Sequence, residues 1–337
     1  MYTIGITRDF LNVRDEFAWG DIGLSRIEQH GGMRWAMVAT DQPERTPDAL
    51  GEFDALLVLR QRIDADLLAA APRLRHVSRW GAGLDRIDLD ACTRAGVIVT
   101  STPFGGKRPV AAAAITLMLA LTHRLLQKDR LVRDGKWDQR ADHMGMGLTG
   151  RTIGIVGLGH IGRDIAHLLS PFAVRTVAYS PRASREQASD LGVTLVALDE
   201  LLASSDVVIV AAALTPATHG LLSAEKLAQM KPSAYIVNVA RGEIIDQAAL
   251  AACLAAGRIA GAGLDVFQDE PLPTSSPLIG LDNVILAPHA LAWTDEIIAG
   301  NAVDAIGSLV KVCDGQRPDF IANPAVLDHP RLRELLR

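Results

Sequence analysis

An α/β fold built on parallel sheets and divided into two domains is the architecture this sequence predicts, on three observations. Short, fully apolar runs recur at intervals filled by helix-like stretches, the rhythm of strands inside a parallel sheet. One of these runs, residues 153–156, passes straight into Gly157-Leu158-Gly159-His160-Ile161-Gly162, a glycine-spaced turn that opens an amphipathic helix. A Gly, Pro and Ser-rich break at residues 100–109 closes the first series of runs, and the pattern restarts beyond it.

Taken in order, residues 4–7, 35–39, 55–59, 76–79 and 97–99 read as strands, with helices at 25–30 and 65–70 between them. After the fourth run, Arg79-Trp80-Gly81-Ala82-Gly83-Leu84-Asp85 supplies a glycine turn at a strand's carboxyl end, where open α/β sheets place ligands. Consecutive backbone N–H groups there could hold an anion, a substrate carboxylate being the natural candidate; a plain strand-to-helix connection is the alternative. A long Ala-rich helix is expected over residues 110–127, followed by a loop over 134–149. Its apolar stretch, residues 110–121, falls short of the roughly 20 residues that a bilayer span requires.

The glycine-spaced turn then divides three tasks. Gly157 makes the tight turn, Gly159 lets the backbone approach a pyrophosphate, and Gly162 lets the new helix pack closely on the strand. With a helix over 162–169 and a second strand at 175–179, the stretch forms the strand-helix-strand unit of about 30 residues that a dinucleotide fingerprint needs. Such a second strand often ends at an Asp or Glu that bonds a ribose hydroxyl, but here it ends at Ser180-Pro181-Arg182-Ala183-Ser184-Arg185. A hydroxyl followed by arginines suits a 2′-phosphate, so NADP is expected in preference to NAD; arginines that merely solvate a helix start are the alternative. Further inner strands are expected at 206–210, 235–239, 261–266 and 284–286, and a helix over 295–312 is long enough to return to the first domain. The chain thus crosses between domains twice, giving one domain from residues 1–101 with 288–337 and another from 102–287.

Bulk composition narrows the function classes. At 337 residues, with 49% apolar and 22% charged residues, the chain has room for two globular domains and lacks the signature of disorder. A net charge of −5, without a basic run interleaved with aromatics, argues against nucleic acid as a partner. Cys92, Cys253 and Cys313 are widely spread and form no C-x-x-C, which fits a reducing cytoplasm and leads us to expect no metal. The start, Met1-Tyr2-Thr3-Ile4-Gly5-Ile6, reads as a strand rather than a signal peptide.

Chemistry is expected at the ends of the later strands. Arg241 follows the run 235–239, and a planar guanidinium can grip a carboxylate through two parallel bonds and polarise a nearby carbonyl. Glu270 and His289 each follow a separate strand, and a carboxylate beside an imidazole fixes its orientation and favours its protonated form, making a general acid/base. Taken singly, a surface ion pair is the alternative for Arg241, and a structural histidine is the expected reading for His289.

Together, Gly157-Leu158-Gly159-His160-Ile161-Gly162, Leu214-Thr215-Pro216-Ala217-Thr218-His219-Gly220-Leu221, Asn238-Val239-Ala240-Arg241-Gly242, Gly263-Leu264-Asp265-Val266-Phe267 to Glu270-Pro271, and Ala287-Pro288-His289 resemble the D-isomer-specific 2-hydroxyacid dehydrogenase family over nearly the whole chain. The resemblance implies a Rossmann-type doubly wound sheet, the dinucleotide-binding domain, inserted into a flavodoxin-like substrate domain, with the active site in a cleft between them. It implies that Arg241 binds the substrate's carboxylate and carbonyl, that His289 exchanges a proton with the substrate oxygen, and that Glu270 orients His289. Ala82 and Gly83 would hold the carboxylate, Asp265 would contact the nicotinamide amide, and His160, Ile161, Pro216 and Ala240 would line the cofactor. Many relatives carry an Asn where this chain has Ser101 and an acid where it has Ala112. Phosphoglycerate-type members carry a small Gly-Ser pattern where it has Ala290-Leu291-Ala292-Trp293-Thr294. An indole at Trp293 would narrow the pocket towards a small 2-keto acid such as glyoxylate or hydroxypyruvate, or pack in a dimer interface; the family suggests a homodimer through the Ala-rich helix. The implied activity is hydride transfer between NAD(P)H and a 2-keto or 2-hydroxy acid. A dinucleotide-sensing protein, like the related corepressors, and a relative acting on an unusual donor such as phosphite are the alternatives, whereas Glu270 argues against a formate dehydrogenase.

Overall fold

The computed structural model describes residues 1–38 and 50–333, with backbone only at Arg333, and divides them into two compact units, Met1–Gly106 with Trp293–Arg337 and Lys107–Ala292. The strands are β1 (Tyr2–Ile6), β2 (Met33–Met37), β3 (Ala55–Val58), β4 (His76–Arg79) and β5 (Ile98–Thr100) in the first unit. In the second they are β6 (Thr152–Val156), β7 (Arg175–Tyr179), β8 (Val193–Leu195), β9 (Val207–Val210), β10 (Tyr235–Asn238), β11 (Gly261–Leu264) and β12 (Val284–Leu286). The helices used below are α1 (Leu24–Gln29), α2 (Ala65–Ala70), α3 (Leu89–Ala95), α4 (Lys107–Thr122), α5 (Leu125–Arg133), α6 (His160–Leu169), α7 (Arg185–Ser189), α8 (Leu198–Ser204), α9 (Ala224–Leu227), α10 (Gln247–Ala255) and α11 (Asp295–Cys313).

In the first unit the sheet order is β2-β1-β3-β4-β5, all parallel, the flavodoxin-like arrangement. Because side chains alternate across a strand, Leu56, Val58, Val77 and Val99 enter one core with Leu67 of α2 and Cys92 of α3. Ile4, Ile6, Ala55 and Leu57 enter the other, with Ile27 of α1 and Ala305, Ile306 and Leu309 of α11. Asp64 and Asp88 cap α2 and α3 by accepting from the N–H groups of Leu67 and Ala91, which fixes where each helix starts. The expected strand 35–39 begins two residues early, and Ala39 lies outside the described residues.

In the second unit the order is β12-β11-β10-β9-β6-β7-β8, again all parallel, the doubly wound order extended by one strand at the β12 edge. The order in which strands are added outward from the centre reverses between β6 and β9, so the crevice at their carboxyl ends is where such sheets take ligands. Ile153, Ile155, Val207, Ile209 and Val237 face α4 and α6, whereas Val156, Val208, Val210, Ile236 and Leu264 face α8 and α10. No single helix among the described residues is long and apolar enough to cross a membrane.

The structure corrects several expectations. The helix expected over 110–127 is two helices, α4 and α5, bent by 58°. Arg124 takes a left-handed φ of 52°, and the carbonyl of Thr122 accepts the N–H of Met146 at 2.7 Å, so a long-range partner ends the helix where the sequence carries no breaker. The expected loop 134–149 contains a 3-10 turn, Trp137–His143. The fifth strand slides to Ile98–Thr100, and β12, expected as an inner strand, is a half-buried edge. Beyond the expected elements the chain forms β8, α3 and α7 to α10.

One buried residue makes the first unit sensitive to acid. His76 on β4 is fully buried, bonds Thr100 Oγ1 through Nε2 at 2.9 Å, and leaves Nδ1 without a partner. Burial alone pushes its pKa from 6.5 to about 3. The unfolded chain therefore takes up a proton that the folded chain refuses, so stability present above pH 6.5 falls as the pH drops below it towards the folded pKa. Thermal melts between pH 7 and 4 are expected to show a steeper loss in the native protein than in His76→Gln; parallel curves would remove His76 as the cause.

Candidate active site

Three glycines shape the ligand edge of the second sheet. Gly157 adopts φ 99°, and a Cβ there would lie 2.6 Å from Ala212 Cα, so the turn closes against the chain leaving β9. A Cβ on Gly162 would fall 2.0 Å from the carbonyl oxygen of Gly157, which is how closely α6 sits on its strand. Gly159 has nothing within 4 Å of that position, leaving the turn's backbone open to a ligand. Arg163 on α6 braces the turn, donating to the Leu158 carbonyl at 3.2 Å and to Gln187 Oε1 on α7 at 2.7 Å. A dinucleotide fits this cradle: an open backbone approach at the head of a helix whose dipole favours anions.

At the end of β7, Ser180 is half-buried and Arg182 is exposed. Ser184 caps α7 by accepting from Gln187 N, so Arg185 is the first residue of a helix. Neither Arg182 nor Arg185 forms an ion pair among the described residues. Beyond β9, Pro216 lies in a loop tied by Thr218, whose hydroxyl accepts from Thr215 N at 2.8 Å and donates to the Ala213 carbonyl at 2.7 Å.

Arg241, Glu270 and His289 follow β10, β11 and β12, three adjacent strands of one sheet. Asn238 folds the β10 exit back on itself, its Oδ1 accepting from Ala240 N at 3.0 Å and its Nδ2 donating to the Arg241 carbonyl at 2.9 Å. Arg241 is half-buried and donates from Nη1 to the Ala240 carbonyl at 2.7 Å. Directly after it, a Cβ on Gly242 would fall 1.9 Å from the carbonyl carbon of Phe267, so the β10 and β11 exits are in backbone contact. Glu270 accepts from Phe267 N at 3.1 Å through Oε1, and His289 Nδ1 lies 2.8 Å from Oε2 and 3.1 Å from Oε1.

With Nδ1 held by the carboxylate, Nε2 is the nitrogen left to exchange a proton. The His289 side chain is 44% exposed and that of Glu270 23%, so the imidazole is open while its partner is sheltered. His289 itself takes a left-handed φ of 54°. Asp265 secures that conformation from beneath: its Oδ1 accepts from Ala290 N at 3.0 Å and Leu291 N at 3.2 Å. Burial pushes the Asp265 carboxyl up, the Glu270 charge adds to the rise, and the two N–H bonds and His289 oppose it. The resemblance assigned Asp265 to the cofactor; its contact with the segment after His289 was a role no sequence signal marked.

In the first unit, Ala82 and Gly83 lie in the turn after β4, where Arg79 Nε donates to the Gly83 carbonyl at 3.1 Å. Trp293 is 48% exposed and meets Trp19 edge to face at 4.7 Å between centroids, Trp19 in turn stacking on Trp80 at 6.4 Å.

A carboxylate-held imidazole and a glycine-spaced turn open to a dinucleotide, on the same edge of one parallel sheet, are the parts of a nicotinamide-dependent oxidoreductase. More narrowly, the chain belongs to the D-isomer specific 2-hydroxyacid dehydrogenase family, whose NAD binding domain matches residues 115–290. It is 37% identical to a glyoxylate reductase of Korarchaeum cryptofilum, over 90% of this chain and 93% of that one. To a glyoxylate reductase of Thermococcus onnurineus it is 40% identical, over 91% and 94% of the two chains. Among solved structures, the TT0316 protein of Thermus thermophilus superposes with a TM-score of 0.85 and 30% identity, covering 95% of this chain and 99% of that one.

Proposed function

We propose that this chain reduces small 2-keto acids of the glyoxylate or hydroxypyruvate kind to the corresponding 2-hydroxy acids, with NADPH preferred over NADH. The observation that carries the reading is the His289–Glu270 pair, 2.8 Å apart at strand ends adjoining the exit that bears Arg241. The names of the two full-length relatives support the substrate class. The bound dinucleotide would supply the hydride. As negative charge grows on the keto oxygen, Arg241 faces it with a fixed positive charge and His289 delivers the proton from Nε2, while Glu270 keeps Nδ1 engaged. In the first unit, the turn at Ala82 and Gly83 is assigned to the substrate carboxylate, and Trp293 to the group beyond the keto carbon. Gly157, Gly159 and Gly162, with backbone at His160, Ile161, Pro216 and Ala240, hold the dinucleotide, and Asp265 meets its nicotinamide end.

The cofactor preference rests on the Ser180 hydroxyl and the cations Arg182 and Arg185, with no acid at the position where a 2′-hydroxyl would need one. Arg182→Ala with Arg185→Ala is expected to weaken NADPH binding about tenfold, the worth of roughly 1.4 kcal/mol, and to leave NADH within twofold. Equal losses for both dinucleotides would count against a 2′-phosphate site. Following NADPH and NADH absorbance separately against a panel of 2-keto acids tests the whole reading; inactivity with every acid would favour a dinucleotide sensor.

We further propose a cytoplasmic homodimer. Leu125, Leu126, Val132, Trp137 and Met144 are large apolar side chains left exposed along α5 and the turn after it, more than a monomer usually shows in one stretch. Sedimentation at micromolar concentration should give the mass of two chains, and a single-chain mass would oppose the pairing.

A further inference from the structure

The turn proposed to hold the substrate carboxylate is fastened from behind by residues that no motif singles out. Gly81, with φ 123°, begins it. The Gly81 N–H donates to Thr102 Oγ1 at 2.7 Å, and the Thr102 N–H donates back to the Gly81 carbonyl at 3.1 Å. A threonine hydroxyl has one proton and two lone pairs, so while its oxygen accepts from Gly81 its proton is free to go elsewhere. It goes to Asn301 Oδ1 on α11, at 2.7 Å. Thr102 and Asn301 are 1% and 3% exposed, so water does not compete for these bonds. Hydrogen bonds in such a chain polarise one another, and each is stronger for its neighbour.

Two further contacts hold the relay in register. A Cβ on Gly105 would fall 2.4 Å from Asn301 Oδ1 and 2.6 Å from Asn301 N, and one on Gly300 would fall 2.7 Å from Gly105 Cα. The segment carrying Thr102 therefore lies directly on the α11 backbone. On the other side, Arg79 Nε donates to the Gly83 carbonyl at 3.1 Å. Carbonyl and N–H groups of the turn are thus engaged from behind, whereas the N–H groups of Ala82 and Gly83 donate to nothing among the described residues. Two adjacent N–H donors without an acceptor, on a turn whose other polar groups are secured, make a place for an anion.

We propose that Thr102 and Asn301 are positioning residues for substrate binding: a buried hydroxyl-to-amide relay that fixes the Gly81 peptide so that Ala82 and Gly83 present their N–H groups to the carboxylate. The proposal rests on the assignment of that turn to the substrate. Its action is on binding of the carboxylate and not on proton delivery, which belongs to residues after β12.

Thr102→Val keeps the branched shape and removes the hydroxyl; Thr102→Ser restores it; Asn301→Leu cuts the relay at its far end. The readouts are oxalate binding to the NADPH-loaded protein by calorimetry, KM and kcat for glyoxylate, and NADPH affinity. Thr102→Val and Asn301→Leu are each expected to weaken oxalate and raise the glyoxylate KM about tenfold, with kcat and NADPH affinity within twofold, and Thr102→Ser is expected to recover both. Oxalate binding by Thr102→Val or Asn301→Leu at native strength, even with a lowered melting temperature, overturns the relay, because a merely structural role moves stability and not the carboxylate. Should the native protein itself bind no oxalate, the assignment of the turn to the substrate fails first, and the relay with it. Should Thr102→Val not fold, Asn301→Leu carries the same comparison.

Discussion

Alanine at His289 or at Arg241 is expected to lower keto-acid turnover by about 100-fold or more while leaving dinucleotide affinity within a fewfold of native. The two losses have different causes. Without His289 the oxygen that gains charge has no nearby proton donor, and water must serve; without Arg241 it loses a fixed positive charge that needs no reorganisation. Glu270→Gln is the milder relative, because an amide can still accept from Nδ1–H but carries no charge to favour the imidazolium. Single-turnover rates with saturating NADPH measure the chemical step, and dinucleotide fluorescence titration measures affinity. Collapse of NADPH binding in either alanine variant would mean that these side chains belong to the cofactor and not to the substrate.

The second large effect comes from a glycine that carries no chemistry. Gly242→Ala places a carbon 1.9 Å from the carbonyl carbon of Phe267 and 2.2 Å from its oxygen. Backbone cannot step aside as a flexible side chain can, so the exits of β10 and β11 must part. Overpacking of this kind costs about 1–3 kcal/mol or more, and here it also moves Arg241 and the Phe267 N–H that supports Glu270. The variant is expected to lose both denaturant stability and activity. Gly159→Ala is its contrast, with open space at the same atom and φ −77°, a value alanine adopts freely. It should keep native stability and lose dinucleotide affinity alone, since only an approaching pyrophosphate would meet the new methyl group. Native stability in Gly242→Ala would mean that the two exits yield more readily than their contact suggests.

Much of this was readable in the chain because parallel strands buried on both faces must be continuously apolar, and the groups that do chemistry lie just past their ends. Arg241, Glu270 and His289 stand out for that reason. What escaped was set by partners distant in sequence. Nothing in Leu121-Thr122-His123-Arg124-Leu125 announces the end of α4, which depends on Met146 taking a carbonyl. The β8 strand is three residues long at a sheet edge, too short for alternation to register. Asp265 reads as one more polar residue at a strand end, yet its bonds to Ala290 and Leu291 span 25 and 26 positions. Thr102 and Asn301 are 199 apart, and nothing in the sequence pairs them.

The discontinuous make-up of the first unit bears on how the protein is made. Residues 107–292 form an uninterrupted unit whose apolar interior is complete once Ala292 has left the ribosome. The β1–β5 sheet, although synthesised first, lacks part of one of its two covers until Ala305, Ile306 and Leu309 arrive on α11. Synthesis from the amino terminus therefore does not set the order of maturation: the inserted half can reach its native form early, and the half that was translated first must wait for the last helix.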